Sequence, residues 1–232
     1  MTTGFPLATS VKSEIIPINT GEAFCTDFPD SPIQNQNAVG AFLGNEAVIC
    51  GGDGGKEDCY FLGSNGLQVF LGIERISAGA AYFDNILAII GGSPLGSPAS
   101  NTFEGCDPTT GTCTLGNLTF NIKNHCVVSF DDKPLIIGGL TGESDTKAQL
   151  SDKVYVFNRT EFGFDETSAK LIDARSNLAC AAMDTLDFDG NPTSIVVVVG
   201  GIGEDNKNVK YVEIMMKNQP FFFRGTVLNS LS

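Results

Sequence analysis

The sequence predicts an all-β protein built from repeated four-stranded antiparallel units. An aliphatic run that ends in a glycine pair occurs four times along the 232 residues. Strand-like segments with matching residues precede and follow each copy, which is the signature of a repeat architecture. The 27 glycines and 10 prolines are spread along the chain, as expected of many short strands joined by tight turns.

The glycine pairs define the repeat. A nucleotide-binding turn normally occurs once in a chain, whereas an architectural feature recurs with the repeat. Glycine allows a positive φ and a close approach of backbones at the turn, and the continuous aliphatic run predicts a strand buried on both faces. GGDGGK (51–56) has no following Ser or Thr and no predicted helix, so it is not interpreted as a phosphate loop. The predicted structural glycines are Gly51, Gly52, Gly91, Gly92, Gly138, Gly139, Gly200 and Gly201.

Three further strands complete each unit. Segments such as RISAGAAYFDN and RSNLACAAMDT predict a strand before each glycine-pair strand, because small and apolar residues alternate in them. A third strand follows, in which Tyr60, Tyr155 and Tyr211 are predicted to match, with Phe103 in the second copy. A fourth strand closes the unit. The predicted units are 35–74, 75–121, 122–172 and 173–228.

These residues resemble the kelch-repeat family of β-propellers. The resemblance rests on the aliphatic run into Gly-Gly, the downstream aromatic residue and a basic residue near the start of the next inner strand, and it covers roughly residues 35–228. It implies that each unit is a four-stranded blade beside a central channel. The chain departs from the family because it contains no Trp. The residues expected to replace Trp between blades are Phe70, Leu115, Phe164 and Phe222.

The N-terminal segment predicts half of a further blade. Residues 11–34 contain a third-strand and a fourth-strand pattern without the first two, with Cys25 aligned on Cys113. Since the last blade is complete by itself, three arrangements stay open: a small ring, an open arc and a fragment of a longer propeller. The last two are favoured. An open arc would expose apolar blade faces, so self-association through its open edges is expected.

The cysteine spacing favours an oxidising compartment. Cys106 and Cys113 flank one predicted hairpin turn, and Cys50 and Cys59 flank another, so each pair is expected to form a disulfide. Disulfides are typical of extracellular proteins, and the alternative is a cytoplasmic chain with thiols in its core. The pairing of three more cysteines is left open. They are Cys25, Cys126 and Cys180.

Other sequence features bear on localisation. The sequons at Asn117 and Asn158 are compatible with secretion and glycosylation. No signal-peptide pattern is visible at the start, and no apolar run approaches the roughly 20 residues that a membrane helix needs. The formal net charge of −13 disfavours nucleic acids and anionic membrane surfaces as partners.

The sequence does not predict an enzyme. His125 is the only histidine, whereas a copper-radical oxidase on a kelch-like propeller would need two, and no zinc-ligand spacing is present. His125 and Cys126 are neighbours on a predicted strand and therefore face opposite sides. The acidic loop with Asp184, Asp187 and Asp189 lacks the terminal Glu of a calcium loop and is interpreted as a solvated turn. No cofactor and no metal are expected.

The predicted function is recognition of a protein or glycoconjugate outside the cell through loops at one end of the propeller. Arg75, Lys123, His125 and Arg175 are candidates for a basic channel rim, the alternative being ion pairs within the propeller. The longest variable loop, 140–153, is polar and typical of a specificity loop. Two other functions stay open: a cytoplasmic adaptor of the ubiquitin-ligase or cytoskeletal type, and a fragment of a propeller enzyme.

Overall fold

The computed structural model describes residues 35–43, 46–62, 68–187, 189–217 and 219–227. The predicted half-blade at 11–34, with Cys25, lies outside the described residues. The described chain forms four antiparallel sheets of four strands each. The all-β prediction is therefore confirmed, and each sheet has the up-and-down order expected of a propeller blade.

Each blade follows the same strand order along the chain. Blade 1 contains β1 (Val39–Leu43), β2 (Glu46–Cys50), β3 (Asp58–Leu62) and β4 (Gln68–Phe70). Blade 2 contains β5 (Gly79–Phe83), β6 (Ile86–Ile90), β7 (Ser100–Cys106) and β8 (Cys113–Ile122). Blade 3 contains β9 (Cys126–Phe130), β10 (Lys133–Ile137), β13 (Lys153–Asn158) and β14 (Gly163–Lys170). Blade 4 contains β15 (Ala179–Leu186), β16 (Pro192–Val199), β17 (Tyr211–Met216) and β18 (Gln219–Val227).

Short elements occupy the loops that follow the glycine pairs. A single helical turn, α1 (Gly52–Gly55), follows β2, in a segment for which the sequence predicted no helix. A small hairpin of β11 (Leu140–Thr141) and β12 (Gln149–Leu150) lies in the long loop of blade 3 and encloses a 3₁₀ turn (Asp145–Lys147). A second 3₁₀ turn (Glu204–Asn206) lies in the corresponding loop of blade 4.

The first strand of each blade contacts its counterpart in the next blade. These contacts join β1 to β5, β5 to β9 and β9 to β15. Within the described part of the chain, no comparable contact joins β15 to β1. The result is a four-blade β-propeller arrangement in which blades 2 and 3 have a neighbour on both sides.

Two sets of backbone hydrogen bonds connect successive blades. In the first, a residue just before each inner strand donates its N–H to the equivalent carbonyl of the preceding blade: Ser77 to Asn37 (3.0 Å), Asn124 to Ser77 (3.0 Å) and Asn177 to Asn124 (2.8 Å). All four residues have a positive φ, which Asn tolerates better than most residues. The repeated turn therefore positions one link of a continuous hydrogen-bonded chain.

The second set uses the glycine pairs. The second glycine donates its N–H to a carbonyl of the next blade in three pairs: Gly52 to Arg75 (2.8 Å), Gly92 to Ile122 (2.9 Å) and Gly139 to Arg175 (2.8 Å). A side chain on the first glycine would collide with that carbonyl; at Gly91, a Cβ would lie 2.5 Å from the Ile122 oxygen. In these three pairs the glycines therefore allow close contact between successive blades.

The core consists of three apolar clusters, one at each boundary between blades. Leu87 and Ile89 of β6 face blade 1, whereas Ala88 and Ile90 face blade 3. Leu135 and Ile137 of β10 likewise face blade 4. Both faces of the middle strands of blades 2 and 3 are buried, which explains their unbroken aliphatic sequence.

The strand register corrects the predicted alignment of the third strands. Glu104 pairs with Ile89 and Glu213 pairs with Val198, at the positions that Tyr155 and Tyr60 occupy in the other two blades. Tyr211 and Phe103 therefore do not match Tyr60. The sequence comparison missed this because blades 2 and 4 use a carboxylate where blades 1 and 3 use a phenol.

The expected replacements for Trp are buried only in two blades. Phe164 and Phe222 lie in the apolar clusters of the boundaries 2/3 and 3/4, as expected. Phe70 and Leu115 are exposed, which corrects the prediction for blades 1 and 2. Alternate residues of a strand face opposite sides, so the buried residue comes from a neighbouring position, such as Val69 in β4.

Three disulfides lie in the described chain. Cys50 bonds to Cys59 and Cys106 bonds to Cys113, across the strand pairs β2/β3 and β7/β8, which confirms both predicted pairs. The third joins Cys126 of β9 to Cys180 of β15 and so connects the inner strands of blades 3 and 4. No turn brackets this pair, so sequence spacing gave no indication of it.

Candidate functional site

Arg75 lies inside the protein, with 1% of its surface exposed. Its Nε lies 3.0 Å from Glu104 Oε1, and its Nη1 donates to the carbonyl of Gly91 (2.7 Å). The second carboxylate oxygen of Glu104 accepts the backbone N–H of Gly72. Burial lowers the pKa of Arg75, and the charge of Glu104 opposes that effect. The pair joins the linker between blades 1 and 2 to the glycine turn of blade 2.

Blade 4 repeats this arrangement. Arg175 is fully buried, forms an ion pair with Glu213 and donates to the carbonyl of Gly200 (3.2 Å). Glu213 also accepts the backbone N–H of Ile172 (2.7 Å). Burial lowers the pKa of Arg175. These positions favour the second sequence interpretation, ion pairing within the propeller, over an accessible basic rim formed by the two arginines.

Lys123 and His125 are placed differently from the two arginines. Lys123 is one residue beyond the matching position, which Ile122 occupies, and its Nζ lies 2.7 Å from Asp145 Oδ1 in the long loop of blade 3. His125 is 7% exposed, and neither of its ring nitrogens has a hydrogen-bond partner among the described residues. Burial lowers the pKa of His125 to about 3, so the ring is neutral. The structure thus does not bring the four candidate rim residues together at one surface.

The loops after the glycine pairs and the linkers between blades lie at one end of the propeller, which we name the loop end. A cleft of about 560 Å³ opens there between blades 3 and 4. The linker 171–178 forms one wall, and the loop 200–210 forms the other. The side chains that line the cleft and carry a charge, an amide or a phenol are Asp152, Asp173, Glu204, Lys207, Asn208, Lys210 and Tyr211.

Tyr211 contributes to the linker wall of the cleft through its contacts with two arginines. Arg224 lies 4.3 Å above the centre of the Tyr211 ring and donates hydrogen bonds to the Tyr211 hydroxyl (3.2 Å) and to Asp173 Oδ2 (3.2 Å). The buried Arg175 guanidinium lies 5.2 Å from the same ring. These cation–π contacts and the hydrogen bond to its hydroxyl favour the observed orientation of Tyr211. Its ring is thus part of the wall.

The loop wall carries exposed polar groups, of which Lys207 lies 3.1 Å from Asp205 Oδ2 of the same loop. Lys207, Asn208 and Lys210 are exposed on the loop of blade 4. The loop backbone is fixed by the bonds Gly203 N–H to Lys207 O (2.9 Å) and Val209 N–H to Gly201 O (2.9 Å). Two ammonium groups and an amide thus line the same cleft as the carboxylates of Asp152, Asp173 and Glu204. Such an arrangement can bind a ligand that offers several hydrogen-bond acceptors and donors.

Sequence reasoning missed this cleft. It singled out the longer loop 140–153, of which Asp152 alone lines the cleft. The detectable signal was the charged run GEDNKNVK (203–210), which begins two residues after the glycine pair Gly200–Gly201.

Acidic residues gather at the opposite end. Asp84, Asp131, Asp132 and Asp184 line a smaller depression of about 350 Å³ among blades 2, 3 and 4. The first three lie in tight two-residue hairpins at positive φ, a conformation that Asp adopts readily. Asp84 forms an ion pair with Arg159, and Asp131 forms one with Lys217. Turn geometry and local pairing explain this cluster.

The acidic loop of blade 4 is a turn stabilised by one carboxylate. Asp187 Oδ1 accepts the N–H groups of Asp189 (2.9 Å) and Asn191 (2.8 Å), and these bonds lower the pKa of Asp187. Among the described residues, no group of three His, Cys, Asp or Glu side chains is arranged to hold a metal ion. The hydrogen bonds of Asp187 show that this loop forms a turn.

The two sequons differ in accessibility. Asn117 and Thr119 are both exposed on β8, the outermost strand of blade 2. Asn158, in contrast, donates to Asp165 (2.8 Å) and accepts the N–H of Thr160 (3.0 Å). None of the helices in the described ranges has the length and apolar character needed to cross a membrane.

Comparison with known proteins supports the fold class. No family model matches the chain, and no curated protein matches it. The structure is similar to the solved structure of YjhT, also a propeller, with a TM-score of 0.68 and 13% sequence identity. The match covers 88% of this chain and 68% of that chain. The likeness shows the β-propeller fold alone, and the kelch family stays a resemblance.

Proposed function

We propose that this chain is a non-catalytic recognition module that binds a protein or glycoconjugate outside the cell at its loop end. The observation that carries the proposal is the preformed cleft between blades 3 and 4. Its walls present carboxylates, ammonium groups and an amide on loops fixed by backbone hydrogen bonds. Binding residues are commonly placed on loops that a rigid scaffold positions, and the propeller blades supply that scaffold.

The chemistry of the cleft favours a polar ligand. Glycans and extended peptides both offer alternating donors and acceptors, which match the carboxylates of Asp152 and Asp173 and the exposed groups of Lys207 and Asn208. Charges of both signs line the cleft, so a purely anionic or purely cationic ligand would meet a like charge there.

The disulfides support an extracellular location. Three disulfides in one chain suggest an oxidising compartment and argue against the cytoplasmic adaptor. The exposed sequon at Asn117 is compatible with secretion. Expression through a secretory pathway should give a chain whose mass falls by one glycan in the variant Asn117→Gln. An unchanged mass would contradict glycosylation at this site.

The binding proposal is tested with arrays of extracellular glycans and proteins probed with the full chain. The double variant Lys207→Ala with Asn208→Ala removes two polar side chains from the loop wall of the cleft. It should bind the ligands of the native chain with an affinity reduced about tenfold or more. The matched control is Lys133→Ala, because Lys133 is exposed at the opposite end of blade 3. An equal loss in both variants, or no loss in the cleft variant, would place the ligand elsewhere.

A further inference from the structure

Among the described residues, no further blade packs on one face of blade 1 or on one face of blade 4. On blade 1, the uncovered face contains Phe42, Ala47 and Ile49, which point away from blade 2. We name it the blade-1 face. On blade 4, the uncovered face contains Met183, Ile195, Val197 and Val199, which point away from blade 3. We name it the blade-4 face. Both faces are apolar.

Equivalent positions elsewhere in the repeat are fully buried. Ile49 is half-buried, whereas its three counterparts are 0% exposed; they are Ile89, Ile136 and Val198. Val199 is half-buried, whereas its counterparts are at most 1% exposed; they are Cys50, Ile90 and Ile137. The sequence therefore has aliphatic residues, of the kind found in the core, at positions where the described chain supplies no neighbouring blade.

The backbone hydrogen bonds between blades have complementary open ends. Gly201 corresponds to the donors Gly52, Gly92 and Gly139, but the described residues offer its N–H no carbonyl of a following blade. A Cβ on Gly200 would likewise meet open space, where the other three pairs meet that carbonyl. On blade 1, the corresponding carbonyl belongs to Asn35.

The first set of interblade bonds, formed by the turn residues before the inner strands, ends in the same way. Asn177 has a carbonyl at the position from which Asn124 and Ser77 accept the N–H of the next blade. The matching N–H on blade 1 is that of Asn37. Blade 4 therefore offers one donor and one acceptor, and blade 1 offers the acceptor and the donor that fit them.

We propose that the chain associates head to tail, with the blade-4 face of one copy packed on the blade-1 face of a second copy. This contact repeats the three boundaries already formed within the chain. In each of those boundaries, the same type of face meets its successor, and two backbone hydrogen bonds cross it. A heterologous contact of this kind closes into a ring if the rotation permits and otherwise continues into a longer oligomer.

The test uses two charged substitutions on exposed side chains. Phe42 is 65% exposed and Met183 is 55% exposed, so Phe42→Lys and Met183→Lys should fold, which circular dichroism checks. The matched control is Leu95→Lys, because Leu95 is 69% exposed on a loop outside both faces. Light scattering coupled to size-exclusion chromatography measures the mass over a wide range of protein concentration.

The native chain and Leu95→Lys should give masses at least twice the monomer mass of 24.5 kDa, rising with concentration. Phe42→Lys and Met183→Lys should each be monomeric. Mixed together, they should form a one-to-one dimer and nothing larger, because each retains the face that the other has lost. This restoration separates head-to-tail contact from pairing of identical faces.

Three outcomes would overturn the proposal. One is a native chain that stays monomeric at every concentration. Another is a single-face variant that associates as the native chain does. The third is a mixture that stays monomeric. None of these outcomes bears on the ligand cleft, which lies at the loop end.

Discussion

Protonation of His125 should destabilise the fold at mildly acidic pH. The His125 side chain lies at the boundary of blades 2 and 3. A Cβ on Gly79 or Gly91 would lie 2.8 or 3.0 Å from a ring atom, and one on Gly139 would lie 2.7 Å from the His125 Cβ. His125 is buried, and neither ring nitrogen has a hydrogen-bond partner among the described residues. Burial is the larger effect on the charged form, and the Ile90 backbone carbonyl opposes it only in part.

The magnitude follows from the shift in pKa. Burial lowers the pKa of His125 from its ordinary 6.5 to about 3, so below pH 6.5 the unfolded chain binds this proton before the folded chain does. Stability is thus fully present above pH 6.5 and decreases as the pH falls toward 3. Each unit in that window removes about 1.4 kcal/mol, so lowering the pH from 7 to 4.5 removes about 3 kcal/mol.

The assay compares the native chain with His125→Leu. Leu is chosen because Leu178 occupies the equivalent position in blade 4, where it is buried. Urea unfolding with the disulfides intact, followed by circular dichroism, gives the free energy of unfolding at pH 7 and at pH 4.5. Between pH 7 and pH 4.5, the free energy of unfolding of the variant should fall by about 3 kcal/mol less than that of the native chain. The contributions of the other titrating groups are the same in both proteins and cancel in the difference.

The matched variant is Leu178→His, which places a second histidine at the equivalent boundary. It should become more sensitive to acid than the native chain over the same pH window. The reasoning would be refuted if His125→Leu and the native chain lost the same free energy between the two pH values.

Three other predictions follow from the blade contacts and the disulfides. Gly91→Ala should lower the free energy of unfolding by roughly 3–5 kcal/mol, and Gly200→Ala by only about 1–2 kcal/mol. Both glycines have a positive φ, but only Gly91 lies against a carbonyl of the next blade. Equal losses in urea unfolding would contradict this reasoning. Arg175→Met should lower the free energy of unfolding by about 3–5 kcal/mol, because it leaves the Glu213 carboxylate buried without its ion-pair partner. Adding Glu213→Leu should restore most of that loss. A double variant as unstable as the single one would count against the buried pair. Thiol titration of the denatured, unreduced chain should find one thiol, that of Cys25, and seven after reduction; three or more without reduction would exclude the third disulfide.

The sequence by itself determined the fold class and the role of the glycine pairs. Four copies of an aliphatic run with Gly-Gly could recur only as an architectural feature, and the local pairs Cys50–Cys59 and Cys106–Cys113 followed from their position across strand turns. These features depend on residues close in the chain. Periodicity and turn chemistry report such contacts directly.

Only the tertiary structure decided which residues meet across blades. Arginine is a residue type expected at a surface rim, but the strand register places a glutamate beside Arg75 and beside Arg175 in the interior. The bond between Cys126 and Cys180 and the cleft between blades 3 and 4 likewise join segments far apart in sequence. Such contacts depend on strand register and blade order, and a one-residue shift turns a side chain to the opposite face. That shift is why Lys123, one residue past the equivalent of Arg75, lies against a loop while Ile122 lies in the core.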